Sequence, residues 1–308
     1  MKNAAHKSTL PYVMCILIQS VVYGLGNPLT KVGFDSITAL WCLAIRFSAA
    51  AVLLFIIFGK RTVSQLKVTK PSQWLPPSIC MASAYISCNI ALGLTTATNV
   101  GFVMSLPVIF TPFLSVLLLK KKYPVRSIPI QLAVVVGLYL LCCGGGSFTF
   151  GAGELVALIC ALSLAFALVF SEKSLNQMDA FSMSTLQTAV TAVISAAAAF
   201  IFDDVSVLPG VEPRAWLIVA YLAVTCTCLA YVLQNTALSH ISSGMVSMLQ
   251  CTQPILTAFF SFILLKERLN PLGLAGAAII TICVVVENYV NYHKEEAIGG
   301  RRNAAPTV

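Results

Sequence analysis

Charge is what this chain of 308 residues has least of: 10% Asp, Glu, Lys and Arg against 58% hydrophobic residues, with a mean hydropathy of +0.89. A soluble chain of that length buries a large core without needing so much apolar surface. A soluble fold is therefore excluded. Carboxylates are scarcer still, at eleven, and all lie in loops, in tails or within a few residues of the ends of apolar runs. None falls near mid-membrane, where a proton-driven exporter of lipophilic cations needs one to exchange substrate for proton. Histidine occurs three times, as His6, His240 and His293, near the termini or in a loop, and no nucleophile–base pair can be assembled around them. There is no phosphate-cradling Gly loop ending in Lys-Ser/Thr. An enzyme has nothing to work with here, and no cofactor is expected. The eleven cysteines offer no metal site: Cys142 and Cys143 are sequence neighbours, and Cys226-x-Cys228 has no partnering His or Cys cluster. Such thiols act as small buried hydrophobes.

Long apolar runs are abundant. Ten of them, at about 10–31, 38–58, 75–94, 98–119, 127–145, 152–171, 181–202, 214–235, 244–265 and 272–291, are long enough to cross a roughly 30 Å hydrocarbon layer as helices. Helices suit lipid because they satisfy their own backbone hydrogen bonds. The first run, preceded by Lys2 and Lys7, resembles a secretory signal but is too long, contains Gln19 and Asn27, and has no small-x-small cleavage site. It is read as helix 1.

The net charge of +8 points to topology rather than to nucleic acid. With the N-terminus inside, 14 of the 19 basic residues fall on the cytoplasmic side: Lys2, Lys7, Lys60, Arg61, Lys67, Lys70, Lys120, Lys121, Lys122, Arg126, Lys173, Lys294, Arg301 and Arg302. Lys31, Arg214, Lys266 and Arg268 fall outside and Arg46 within the membrane. This is a positive-inside pattern with both termini cytoplasmic, as in a bacterial cytoplasmic membrane. Five helices per half is an odd number, so the second half enters from the opposite side. The loops agree: the 2–3 loop carries Lys60, Arg61, Lys67 and Lys70, whereas its counterpart between helices 7 and 8 carries Asp203, Asp204 and Glu212 against Arg214. The expected organisation is a cytoplasmic segment 1–9, a five-helix repeat 10–145, an outer linker 146–151, a second repeat 152–292 and a disordered cytoplasmic tail 293–308.

The repeat is visible in the residues. Ala84-Tyr85-xxx-Asn89-x-Ala91-Leu92 returns as Ala230-Tyr231-xxx-Asn235-x-Ala237-Leu238, an offset of 146 that runs ungapped to Lys120 and Lys266 with 13 identities in 37 positions. Polar side chains in a bilayer are costly and face the bundle interior or water. Gln19, Tyr23 and Asn27 lie at i, i+4 and i+8, on one face of helix 1. Tyr85 and Asn89 in helix 3, Thr227, Tyr231 and Asn235 in helix 8, and Gln250 and Gln253 in helix 9 add donors, acceptors and aromatic walls. Two roles are open to them, lining a cavity for polar organic solutes or holding helices together. Arg46 lies about 12 Å into helix 2 at roughly 1.5 Å per residue. It is either an anchor for a carboxylate or phosphate, or one member of an internal pair, for instance with Glu154. An offset of 141 places Gln187 opposite it in the second half. Pro107 and Pro112 interrupt helix 4 and Pro254 interrupts helix 9, either as hinges or as fixed kinks.

The ordered set of motifs resembles the drug/metabolite transporter superfamily, in its ten-helix EamA-type branch, over nearly the whole chain. Tyr23-Gly24-xx-Asn27-xxx-Lys31 followed by Arg46-Phe47 is similar to that family's opening pattern, with Tyr-Gly in place of Trp-Gly. Tyr231-xxx-Asn235-x-Ala237-Leu238, Ser242-Ser243 and Pro254 resemble its helix 8–9 signature, and Leu265-Lys266-Glu267-Arg268-Leu269 its Leu-Gly-Glu-Arg-Leu. The resemblance implies an all-α polytopic protein, two inverted five-helix repeats around a central cavity, alternating access, and export or exchange of solutes from amino acids to nucleotide precursors. Because Arg46 belongs to the shared pattern, the resemblance also implies a structural role for it. The expected partners are a small polar solute and the lipid bilayer, with a homodimer left open and no nucleic acid. The reading reached is an exporter or exchanger of small polar metabolites, amino acids or related compounds. Its rivals are a multidrug exporter of apolar compounds and a non-transporting membrane scaffold or sensor.

Overall fold

The computed structural model describes residues 9–95, 97–122, 125–143, 151–265 and 270–303. Among them are thirteen α-helices. The first repeat holds α1 (Leu10–Gly33), α2 (Ala39–Val68), α3 (Pro71–Leu94), α4 (Ala97–Met104), α5 (Pro107–Leu119) and α6 (Ile128–Cys143). The second holds α7 (Ala152–Ser174), α8 (Ala180–Phe202), α9 (Pro213–Ala223), α10 (Ala230–Leu238), α11 (Ser243–Gln250), α12 (Gln253–Leu265) and α13 (Pro271–Asn303). A π-helical turn, Val224–Leu229, joins α9 to α10. Among the described residues eight spans are long and apolar enough to cross a membrane, and the apolar stretch Pro271–Glu287 of α13 is shorter. The expected third span, α3, is less apolar, with Gln73, Ser78, Tyr85 and Asn89 along its length. It can be so because it packs on α7 and α8.

The repeat is a matter of geometry as well as of sequence. Spans 4 and 9 each consist of two helices, and α4 and α5 become α11 and α12 when 146 is added to their bounds. The breaks fall at Ser105-Leu106 and Cys251-Thr252, equivalent positions in the repeat. Pro107 opens α5 and Pro254 is the second residue of α12. A proline N–H is missing where a first turn has no use for one, so these prolines begin helices rather than bend them. Pro112 is placed differently. It lies inside α5 without breaking it, buried across from Gly244 of α11.

Two other expectations change. The 2–3 loop is helix for most of its length: α2 has 30 residues, about 45 Å at 1.5 Å per residue, and outruns the hydrocarbon layer. Lys60, Arg61 and Lys67 therefore ride on a helical extension that ends at Thr69-Lys70. Arg61 is paired with Asp179, Nε to Oδ1 3.0 Å, and lies over the Phe181 ring. The tail expected to be disordered from His293 continues as helix to Asn303. Lys294, Glu295, Glu296 and Ala297 are good helix formers, and extending an existing helix needs no new nucleus. The Gly-rich link 144–150 and residues 266–269 lie outside the described residues.

Packing mixes the repeats. Helix α1 packs along α9, α10, α11 and α12 of the second repeat, and α7 packs along α3, α4 and α5 of the first. Each bundle thus takes its first helix from the other repeat. The pairs α2–α8 and α6–α13 are formed by equivalent helices. The bundles meet where α5 packs on α11; α4 packs on α7 and α6, and α12 on α1 and α6. The interior is rich in small hydroxyl residues. On α8, Ser184, Thr185, Thr188 and Thr191 are fully buried, and each donates to the carbonyl four residues earlier. This satisfies the hydroxyl and lets helices approach closely. Ile56, Ile57, Val193, Phe200, Phe202 and Leu217 point outward, an apolar belt of the kind lipid covers.

Candidate functional site

Polar side chains stack in tiers between the bundles, in the order that α1 displays them. At the basic end, carrying Lys60, Lys121 and Lys173, the bundles are tied together. Glu172 of α7 accepts from Lys121 and from the N–H and hydroxyl of Ser243 on α11 (3.0 and 2.6 Å). Ser243 is also 3.1 Å from Ser115 of α5. Lys120, at φ 52°, turns the chain out of α5 and into this cluster. Tyr12 stacks on His240 at 3.8 Å between centroids. A cavity of about 440 Å³ at this end is lined by Lys121, Glu172, Asn176, His240 and Ser242 among others.

The next tier is a triad of amides. Gln19 donates to Gln234 Oε1 at 2.8 Å, and Gln250 donates to the same oxygen at 2.9 Å and to Gln19 Oε1 at 3.4 Å. Gln234 was not singled out in the sequence, although it lies four residues before Leu238 and next to Asn235 in the repeated motif. Its partner in the first repeat is Cys88, so the repeat itself gave no signal. Beside the triad, Asn235 donates to Gln187 Oε1 (2.7 Å) and Ser184 Oγ (3.0 Å), and Gln187 donates to Ser171 (2.9 Å). Asn235 and Gln187 are fully buried, and Asn235 Oδ1 has no partner. The matching Asn89 behaves differently, donating to the Tyr85 carbonyl of its own helix at 2.8 Å. Only the second-half member of the repeated pair reaches another helix by its side chain.

The third tier is aromatic and cationic. The Tyr23 and Tyr85 hydroxyls meet at 2.9 Å across the two bundles. Tyr85 stacks on Tyr231 at 6.1 Å, and Phe47 stands edge-on to both. Arg46 lies against Phe47 and Tyr85, its guanidinium carbon 5.3 and 5.6 Å from their centroids. Its Nε donates to Thr227 Oγ1 at 2.7 Å and its Nη2 to the Cys226 carbonyl at 3.1 Å. Both acceptors belong to the π turn, where wider spacing releases carbonyls from the usual ladder. The suggested pairing with Glu154 does not occur. Glu154 caps α7, taking the Gly151 N–H at 2.8 Å and the Thr95 hydroxyl, where a helix N-terminus favours a carboxylate.

Beyond this tier, Asn27 is exposed and donates to Thr257 of α12 at 3.1 Å. Gln253 begins α12, half-buried, with no side-chain hydrogen bond among the described residues. The acidic end is closed only between neighbouring connections. Thr38 donates to Asp203, Trp41 Nε1 to the Asp204 carbonyl at 3.1 Å, and the Glu212 N–H to Ser36 at 2.8 Å. The backbone N–H and hydroxyl of Ser206 hold the exposed Asp204 carboxyl below the usual carboxylate range.

The EamA-like transporter family model matches residues 10–143 and again 151–288, one match per repeat. The chain is 25% identical over 271 residues to an uncharacterized transporter of Archaeoglobus fulgidus, covering 88% of this chain and 83% of the relative. It is 26% identical over 303 residues to the uncharacterized transporter YcxC of Bacillus subtilis, covering 94% and 96%. A solved structure titled only as the crystal structure of a protein superposes with a TM-score of 0.76 at 17% identity, covering 90% of this chain and 96% of that one. That likeness speaks to the fold alone.

Proposed function

Since the chain belongs to the EamA-like transporter family, and so is a membrane transporter rather than an enzyme, we propose that it exports or exchanges small polar metabolites, amino acids or related compounds, by alternating access. The observation that carries the proposal is the arrangement of polar tiers between two bundles that α5, α7 and α11 tie together at the basic end. At the basic end α5 packs on α11 and Glu172 ties α7 to α11; at the acidic end the ties run from Thr38, Trp41 and Ser36 to the connection between α8 and α9. The basic end is cytoplasmic by the positive-inside rule, so on this reading α5 and α11 close the cytoplasmic side, with both termini in the cytoplasm of a bacterial cell.

In this reading Gln19, Gln250, Asn235 and Gln187 face the solute with amides, Tyr23, Tyr85 and Tyr231 form its aromatic wall, and Asn27, Asn89 and Gln253 stand along the approach. Pro107 and Pro254 start the helices beyond the breaks about which spans 4 and 9 swing. Access alternates when α5 and α11 separate and α4 and α12 meet. The Tyr23–Tyr85 hydrogen bond crosses between the bundles and must break or re-form in each cycle. Amide and hydroxyl groups at every tier favour polar solutes over apolar drugs.

The test is counterflow in proteoliposomes. Vesicles preloaded with a mixture of amino acids, nucleobases and sugar phosphates are challenged with each labelled compound in turn. Saturable uptake of an amino acid is the expected result. Gln19→Ala and Gln250→Ala, each folded, should raise the half-saturating concentration about ten-fold, as expected for losing a solute hydrogen bond in a dry site. Unchanged kinetics in both variants contradict the placement of the site; uptake confined to apolar drugs contradicts the solute class.

A further inference from the structure

Arg46 holds a positive charge in the interior of a membrane protein and has no negative partner among the described residues. It is 7% exposed, and arginine stays protonated in any such setting. Its electrostatic neighbours are Tyr85, Cys226, Tyr23 and Cys42, none of them a carboxylate. Among the described residues no Asp or Glu lies within ion-pair distance of it. An unpaired charge in a low-dielectric interior is costly and marks a pathway or a counter-ion site.

The guanidinium is held so that one edge is used and another is free. The Nε–Nη2 edge is taken by Thr227 and the Cys226 carbonyl. Nη1 makes no hydrogen bond, yet it is not one of the sealed polar atoms lacking a partner, so the accessible part of the residue includes it. Phe47 and Tyr85 fix the plane of the group from the side. The Tyr231 hydroxyl in the same aromatic cluster is sealed beside the Tyr85 hydroxyl, without a hydrogen bond of good geometry. A pinned guanidinium with a free Nη1, a second hydrogen left on Nη2, and a nearby phenol held only loosely by Tyr85 together make a receptor for a planar anion. The equivalent position in the second repeat is Gln187, which is neutral. The site thus carries a single positive charge, which matches a monoanionic carboxylate better than a phosphate dianion.

We propose that Arg46 anchors the transported solute by a carboxylate, docked on the Nη1–Nη2 edge with the Tyr231 hydroxyl donating to it. The assignment deepens the transport reading above and rests on it. It excludes organic cations as cargo, since nothing in the tier offsets their charge beside Arg46. It also gives Arg46 a second role besides holding the π turn.

The experiment pairs binding with transport. Purified protein in detergent is titrated by thermal shift and calorimetry against matched pairs: leucine and leucinamide, phenylalanine and its amide, phenylacetate and phenylacetamide. Glycerol 3-phosphate is added as an anion of higher charge. Acids are expected to bind about ten-fold or more tightly than their amides. Arg46→Gln, checked for an intact melting transition, should remove that preference, and Arg46→Lys should retain part of it. Equal binding of acid and amide overturns the proposal. So does an acid preference that survives Arg46→Gln, tighter binding of the phosphate ester, or no binding by any acid in the panel. Counterflow run in parallel separates the two readings. If acids bind but no solute of any class exchanges, transport fails and the anion site stands; if neutral solutes exchange and no carboxylate binds, the anion site fails and transport stands.

Discussion

Asn89 and Asn235 occupy equivalent positions in the two repeats and have separate fates. Asn235 bridges to Ser184 and Gln187 with no exposure, whereas Asn89 returns to its own helix. Replacing Asn235 with Ala removes two interhelical bonds and leaves the Gln187 oxygen unpaired. The expected loss is about 2 kcal/mol of stability, read as a lower melting temperature in detergent. Asn89→Ala should change stability by less than about 0.5 kcal/mol, since a bond to the preceding turn stabilises a helix little. Equal losses would show that the repeat, and not the local partners, sets the role of the pair. The polar residues themselves were legible, because a bilayer makes every Gln, Asn and Tyr stand out against an apolar background. Their partners were not. Helical spacing puts Gln19, Tyr23 and Asn27 on one face, but whether Arg46 faces Glu154 or Thr227 depends on which helices are neighbours, and the chain order does not say so.

At the scale of the helices, the 146-residue offset foretold more than the prolines did. It puts both helix breaks at equivalent positions, although Pro107 aligns with Gln253 and Pro254 with Val108. The π turn has a signal in the sequence. Thirteen residues separate Pro71 from Ala84, but seventeen separate Pro213 from Ala230, so span 8 had extra residues to accommodate before the repeated motif. The α6–α13 pair depends on a close approach of Gly137 and Gly276. A Cβ on Gly276 would collide with the Gly137 carbonyl oxygen and the Leu141 nitrogen, which are backbone atoms and cannot swing aside. Gly276→Ala should therefore cost about 2 kcal/mol or more, or prevent folding, and Gly210→Ala, with nothing near its Cβ, should be within about 0.5 kcal/mol of the wild type. Comparable melting temperatures for the two variants would contradict the packing. Lys120 holds a left-handed backbone at φ 52° at the end of α5. Lys120→Gly should stabilise the protein by about 1 kcal/mol if that turn is kept, measured in the same melting experiment.

For the whole molecule, composition established the membrane and the odd helix count per repeat gave the inversion. The exchange of first helices between repeats was not legible, because lipid-facing and helix-facing surfaces are both apolar and leave no pattern to tell them apart. That exchange has a mechanical consequence. Each bundle includes elements of both repeats, so a movement of one against the other passes through the line where Tyr23 meets Tyr85 and Gln187 meets Ser171. On the proposed reading, the α5–α11 contact at the basic end is the barrier on that side. Ser115 and Ser243, 3.1 Å apart between hydroxyls, allow that barrier to be fixed in place. The decisive measurement is counterflow by Ser115→Cys/Ser243→Cys protein before oxidation, after oxidation and after reduction, with each single variant oxidised as the control for the native thiols. The account predicts that the cross-link lowers exchange at least ten-fold and that reductant restores it. Undiminished exchange through fully cross-linked protein would mean that α5 and α11 need not part, and would contradict alternating access along this path.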